Sequence, residues 1–239
     1  MSTNTWFKAN LFKRGIVGLM AGMLAVGMAQ AAGVEKMVRA TPGVTKVVMD
    51  APGELVIKPG SDEKVVIEAE AKVLAKLEAV VNGNTLTLKT KGNIRTDKGI
   101  LYTVTIRKLG TVKTLSSGNV SISGFSGTDM DIDANGSGDI ALTGIKVPRL
   151  GLKINDAGNI TAQGEGGVLI AKIEGSGNID TLKYIAKKAE ASIEGAGNIS
   201  VRAEESLKAS IQGVGNIEYA GKARVSKNIS GAGNIERVD

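Results

Sequence analysis

The sequence has 239 residues, 42% of them apolar, with 30 basic and 24 acidic side chains and neither cysteine nor histidine. Without those two residue types there is no disulfide, no thiol nucleophile and no imidazole base, so Ser-His-Asp and Cys-His triads and transition-metal centres are excluded. Thirty-two glycines against seven aromatics also exclude an aromatic-rich globular core, leaving Ile, Val, Leu and Ala to fill the interior.

Residues 1–31 read as a secretory signal peptide. Lys8, Lys13 and Arg14 form the positive start, Gly15 to Met28 the apolar stretch, and Ala29-Gln30-Ala31 the cleavage signal. About 14 apolar residues fall short of the roughly 20 that a spanning helix needs. Export to the periplasm or cell surface is therefore expected, and without a cysteine the protein is not a lipoprotein. With the signal removed, 27 basic and 24 acidic residues leave a net charge of +3. Those charges are interleaved rather than grouped, which argues against a nucleic-acid partner.

Residues 32–43 read as a polar lead-in ending in Pro42-Gly43. Strand signals come next at Val44–Met49, Leu55–Ile57 and Val65–Ala69, separated by Pro-Gly turns. Val73, Leu74, Leu77 and Val80 then fall at helical spacing and predict one short helix within 71–81. Asn82-Gly83-Asn84 is a hairpin turn leading into the alternating strand Thr85–Thr90. Residues 91–99 read as a polar loop, and Tyr102–Ile106 as another strand. This sheet-rich section, 44–115, is expected to cover the open end of the C-terminal repeats.

From Ser116 onward one motif recurs: SSGNV, GSGDI, DAGNI, GSGNI, GAGNI, GVGNI and GAGNI, with second glycines at 118, 138, 158, 177, 197, 215 and 233. A period near 20 residues is a repeat architecture. A β-branched residue follows every Asn or Asp: Val120, Ile140, Ile160, Ile179, Ile199, Ile217 and Ile235. Before the corner, apolar residues alternate, as in Leu150, Leu152 and Ile154 or Ala189, Ala191 and Ile193. A coil this small cannot bury its own apolar face, so coils must stack strand on strand in parallel. The predicted fold is all-β: a parallel β-helix, or β-solenoid, over 116–237. In the G-x-G-N corners both glycines can take positive φ without steric cost, and Asn159, Asn178, Asn198, Asn216 and Asn234 are expected to stack as an amide ladder.

Few residues suggest chemistry, and none is assigned a catalytic, cofactor-binding or metal-ligand role. Asp129, Asp131 and Asp133 alternate beside Asp139, which suits either a hard cation such as calcium or a solvated acidic face. Lys183, Lys187 and Lys188 cluster between two corners and suit either an anion-binding face or solvent. Lys227 falls where earlier coils are apolar; it is either an inward charge that ends the stack or the product of a bulge that turns it outward.

The run VTKVVMDAPGELVIKPG, the segment AKVLAKLEAVVNGNTLTLK, the strand YTVTI and the serial G-x-G-[ND]-I corners together resemble the head GIN domain family of putative autotransporter adhesins, over residues 44 to 237. The resemblance implies a β-helix similar to pectin-lyase-like proteins without their catalytic residues, and a role in adhesion at the cell envelope. It carries no ligand residues onto this chain, and no segment reads as a translocator barrel. The expected function is an exported, non-catalytic envelope module that binds an envelope protein or glycan. The alternatives are a carbohydrate-active lyase or hydrolase of β-helix type, and a calcium-stabilised solenoid.

Overall fold

The computed structural model describes residues 33–238; the predicted signal peptide lies outside them. The elements run β1 (Glu35–Ala40), β2 (Lys46–Asp50), β3 (Glu54–Pro59), β4 (Lys64–Ala69), α1 (Ala71–Leu74), β5 (Leu77–Asn82), β6 (Thr85–Thr90), β7 (Leu101–Ile106), β8 (Thr111–Thr114), β9 (Asn119–Ser123) and β10 (Met130–Ala134). Longer strands succeed them: β11 (Ile140–Ile154), β12 (Asn159–Ile173), β13 (Ser176–Ile193) and β14 (Ala196–Ile211), then β15 (Val214–Ala220), β16 (Arg224–Ile229) and β17 (Ala232–Arg237). All seventeen belong to one sheet wound into a solenoid.

Each coil presents a first face before the corner and a second face after it. On the first face Leu152, Ala171, Ala191 and Ala209 stack in register, as do Ile154, Ile173, Ile193 and Ile211. On the second, Val120, Ile140, Ile160, Ile179, Ile199, Ile217 and Ile235 form one buried column. Alternation along each strand sends these side chains inward and their neighbours outward. The repeat pattern predicts two strands per coil, but there is a third side: Ile145–Val147 pairs with Gly164–Gly166, and β11 to β14 bend through it without a break. Buried Ile145, Val147, Tyr184 and Ala186 line it.

The two glycines of a corner do different jobs, and only one uses the positive φ open to both. From the third corner on, the second glycine takes it: Gly158 114°, Gly177 154°, Gly197 148°, Gly215 152° and Gly233 154°. The first, at 136, 175, 195, 213 and 231, does not; it is required because a Cβ there would strike the backbone carbonyl of the coil below.

The N-terminal section interleaves with the repeats rather than only covering them. β2 pairs in parallel with both β6 and β8, and β3 with both β7 and β9. The coil formed by β2 and β3 therefore sits between two coils that come later in the chain. Above β6 and β7 the direction reverses: β5 is antiparallel to β6, β4 to β7, and β1 to β4. This is the cap. The predicted lead-in thus contains β1, an edge strand whose Lys36 pairs with Glu68 at 3.1 Å. The predicted helix is confined to α1, because Asn82-Gly83 pairs Leu77–Asn82 with Thr85–Thr90. Leu77 and Ala79 are buried by strand alternation, and Val80 is not.

Candidate functional site

The solenoid offers its outward columns as surface, and the corner column is the most regular of them. The Asp139 amide donates to Asn119 Oδ1 at 3.0 Å. Asp139 Oδ1 accepts from the Asn159 amide at 3.1 Å and from Asn159 Nδ2 at 2.9 Å. Asn178 Nδ2 donates to Asn159 Oδ1 at 2.9 Å, and Asn198 Nδ2 to Asn178 Oδ1 at 3.0 Å. Asn216 and Asn234 continue the ladder through their amides at 3.1 and 3.0 Å. These side chains are spent on holding coils together, which is a structural task.

The outward columns of the first face are spent in the same way. Arg149 bonds Asp131 at 2.7 Å beside Gly151, where any Cβ would meet the Asp131 carboxylate. Lys153 and Lys172 both reach Glu174 at 2.9 Å, and Lys172 also reaches Glu194 at 2.8 Å. Hydrogen bonds from Lys172 and Lys153 hold the Glu174 carboxyl below the usual carboxylate range, and those from Lys172 to Glu194 and Glu174 raise the ammonium. Lys208 pairs with Glu190 at 3.1 Å, and Asn155 donates to Asn135 at 3.0 Å.

The second face is different. After the first three corners its outward residues are short and uncharged: Ser121 and Ser123, Ala141 and Thr143, and Thr161, all exposed, with Ser121, Ala141 and Thr161 in one column and Ser123 on Thr143 in the next; the following coil brings Asp180 beside Thr161. None of these short side chains bonds another described residue. Neighbours stand roughly 4.8 Å apart between coils and about 6.7 Å along a strand. The result is a flat, uncharged patch whose hydrogen-bonding capacity is unspent, and this is the candidate site. Sequence reasoning missed it, although the signal was present in the small polar residues alternating with buried ones after the first three corners.

The model of the family described as "Putative auto-transporter adhesin, head GIN domain" matches residues 44–223. The chain belongs to the head GIN domain family. No curated protein matches it. Among solved structures it resembles an adhesin described as putative from Bacteroides fragilis, with a TM-score of 0.82 at 23% identity over 89% of this chain and 100% of that one. A second such adhesin, from Parabacteroides merdae, gives 0.71 at 20% identity over 87% and 97%. A putative lipid binding protein from Parabacteroides distasonis gives 0.67 at 21% identity over 87% and 98%. These likenesses establish the fold.

Within this head GIN domain the residues singled out from sequence separate. Asp131 is tied to Arg149 on the first face, while Asp139 serves as an acceptor rung in the corner ladder. No group of three or more metal-ligating side chains gathers among the described residues. Asp129, Asp131, Asp133 and Asp139 therefore do not form one such group. Lys187 and Lys188 are exposed on the third side and Lys183, in register with Gln163, at its edge with the second face, and Glu204 and Glu205 fall opposite Lys187 at the bulge between Ala186 and Lys188. The face there is mixed in charge. Lys227 stays in register with Ala209, so the bulge is absent and the charge takes the inward position. Its ammonium donates to the Ile235 carbonyl at 2.6 Å and lies 5.1 Å from the Tyr219 ring centroid. No helix among the described residues is long and apolar enough to cross a membrane.

Proposed function

We propose that this head GIN domain is an exported, non-catalytic adhesion module of the cell envelope that contacts a neutral glycan through its second face. The observation that carries the reading is the unspent hydroxyl array from Ser121 to Thr161, set on a fold whose corner amides and first-face charge ladder are taken up by internal bonds. Hydroxyl groups at strand spacing suit polyol recognition. Membership of a family described as adhesins supports the same reading. The mature chain, residues 32–239, should bind selectively on an array of envelope and host glycans, and Thr143→Lys with Thr161→Lys should abolish that binding without changing the melting temperature. Binding that survives both substitutions would move the site off this face.

One observation favours the enzymatic reading: Glu54 and Glu68 line one cleft of about 350 Å³ beside β1, and glycan-cleaving sites pair carboxylates. Against it, Glu68 is engaged by Lys36 at 3.1 Å. Glycan cleavage by the wild-type chain that Glu54→Gln abolishes would establish it.

A further inference from the structure

Between β6 and β7 the corner is not a tight G-x-G-N turn. The chain instead makes the excursion 91–100, which folds back over α1. Three bonds fix it there: the Lys91 amide to the Lys76 carbonyl at 2.8 Å, Lys76 Nζ to the Asn93 carbonyl at 2.9 Å, and the Thr96 hydroxyl to Glu70 at 2.9 Å. The excursion and α1 enclose a cleft of about 360 Å³, lined by Lys72, Val73, Lys76, Asn93, Ile94 and Arg95. That volume lies within the range of small-ligand sites, ~300–1,000 Å³.

Every charged residue in this lining is a cation. Lys72 lies 3.6 Å from Glu70, and the Thr96 hydroxyl bond keeps that carboxyl below its ordinary range and ionised. Lys76 meets only the neutral Asn93 carbonyl. Arg95 is exposed and has no described partner. Glu78, close in sequence, is taken by Lys89 and Lys91. Asp97 lines the adjoining cleft, which shares Arg95. Two positive charges are thus left uncompensated over a floor made by buried Val73 and half-buried Ile94.

We propose that this cap cleft binds a phosphate monoester, with the Arg95 guanidinium as the bidentate donor and Lys76 and Lys72 as flanking charges. Such a group carries about −1.5 to −2 at neutral pH, which matches the uncompensated charge, and a planar guanidinium fork suits its oxygens. The Lys183, Lys187 and Lys188 run does not compete, because it lies on an outer side with Glu204 and Glu205 opposite.

The test is a titration of the isotope-labelled chain, followed by amide shifts, with inorganic phosphate, glucose phosphate, and phosphatidylcholine vesicles with and without phosphatidic acid. Saturable shifts confined to residues 72–76 and 93–95 are expected, weakened about tenfold or more by Arg95→Ala, as loss of a charge-assisted bond implies. Lys183→Ala should change nothing. Response to the soluble phosphates alone would assign a free phosphorylated ligand, whereas stronger response to the phosphatidic acid vesicles would assign a lipid headgroup. No saturable response to any phosphate probe, or equal weakening by Arg95→Ala and Lys183→Ala, overturns the site. Since Arg95 is exposed and unpaired, its loss should leave the fold intact, and an unchanged melting temperature checks this.

Discussion

At the scale of single residues, the corner motif separates two demands that glycine alone can meet. Gly197 needs its φ of 148° and also lies against the Gly177 carbonyl, whereas Gly195 has ordinary backbone and only the steric demand. Gly83, in the β5–β6 turn, needs positive φ at 57° but has open space around it. Asn tolerates that region, so Gly83→Asn should leave the melting temperature nearly unchanged. Gly195→Ala should lower it through backbone overlap alone. Gly197→Ala should lower it most, since it adds strain of roughly 1–3 kcal/mol, and each kcal/mol is worth about 2–4 °C in a chain of this size. The order of the three melting temperatures checks the assignment; equal losses at 195 and 197 would deny the conformational part. Tyr184 is the complementary case. Its ring is buried, its hydroxyl lies where a Cβ on Gly166 would be, and burial pushes the phenol up to about 12.

At the scale of elements, coils are joined by hydrogen-bond and charge ladders whose pH behaviour is set by their shifts. The Glu174 carboxyl lies below its ordinary value of 4.5 because Lys172 and Lys153 bond it. A carboxylate lowered in the folded state contributes stability that is present above the unfolded value and lost as pH falls through the folded one. Melting temperature should therefore drop as the pH goes below 4.5, and Glu174→Gln should flatten that drop while lowering the plateau at neutral pH. A profile unchanged by the substitution would show that the Lys153–Glu174–Lys172–Glu194 ladder contributes nothing. Such ladders were partly legible in the sequence. The Asn column was readable because every coil repeats the same residue in the same turn, so Asn159 predicts the setting of Asn178. The charge ladder was not, because Lys153, Lys172, Glu174 and Glu194 meet only once the register is known. The short helix predicted within 71–81 is present but confined to Ala71–Leu74 for a related reason. Leu77 and Val80 fit helical spacing, but Leu77 and Ala79 fit a strand equally well, and the choice fell to pairing with β6. The second-face hydroxyls repeat too loosely in kind, Ser, Ala and Thr, to stand out as a motif, although their alternation was visible.

At the scale of the molecule, the stacking order decides how the chain behaves as a unit. Solenoid stability is close to a sum of coil terms and nearest-neighbour interfaces, and a detachable N-terminal section would melt apart from the repeats. The observed order opposes this. β2 and β3 are paired on both edges, with β6 and β7 on one side and β8 and β9 on the other, so the N-terminal coils cannot leave without exposing the first repeat. Met49 lies in that inserted coil, fully buried between Leu88 and Thr114. Met49→Ala removes core volume at a cost of about 2–5 kcal/mol. If the chain unfolds as one unit, that loss should shift a single transition, with the circular dichroism of the sheet and, for residues 32–239 carrying Tyr102→Phe, the fluorescence of Tyr184 and Tyr219 in the repeats moving together. Two transitions, of which the substitution shifts only the earlier, would mean that the interface between β2–β3 and β8–β9 is weaker than those inside the repeats. The paired edges argue for the first outcome: each interface in the stack buries the same kind of aliphatic column, Val47 and Met49 on Val112 and Thr114 as much as Ala191 and Ile193 on Ala209 and Ile211.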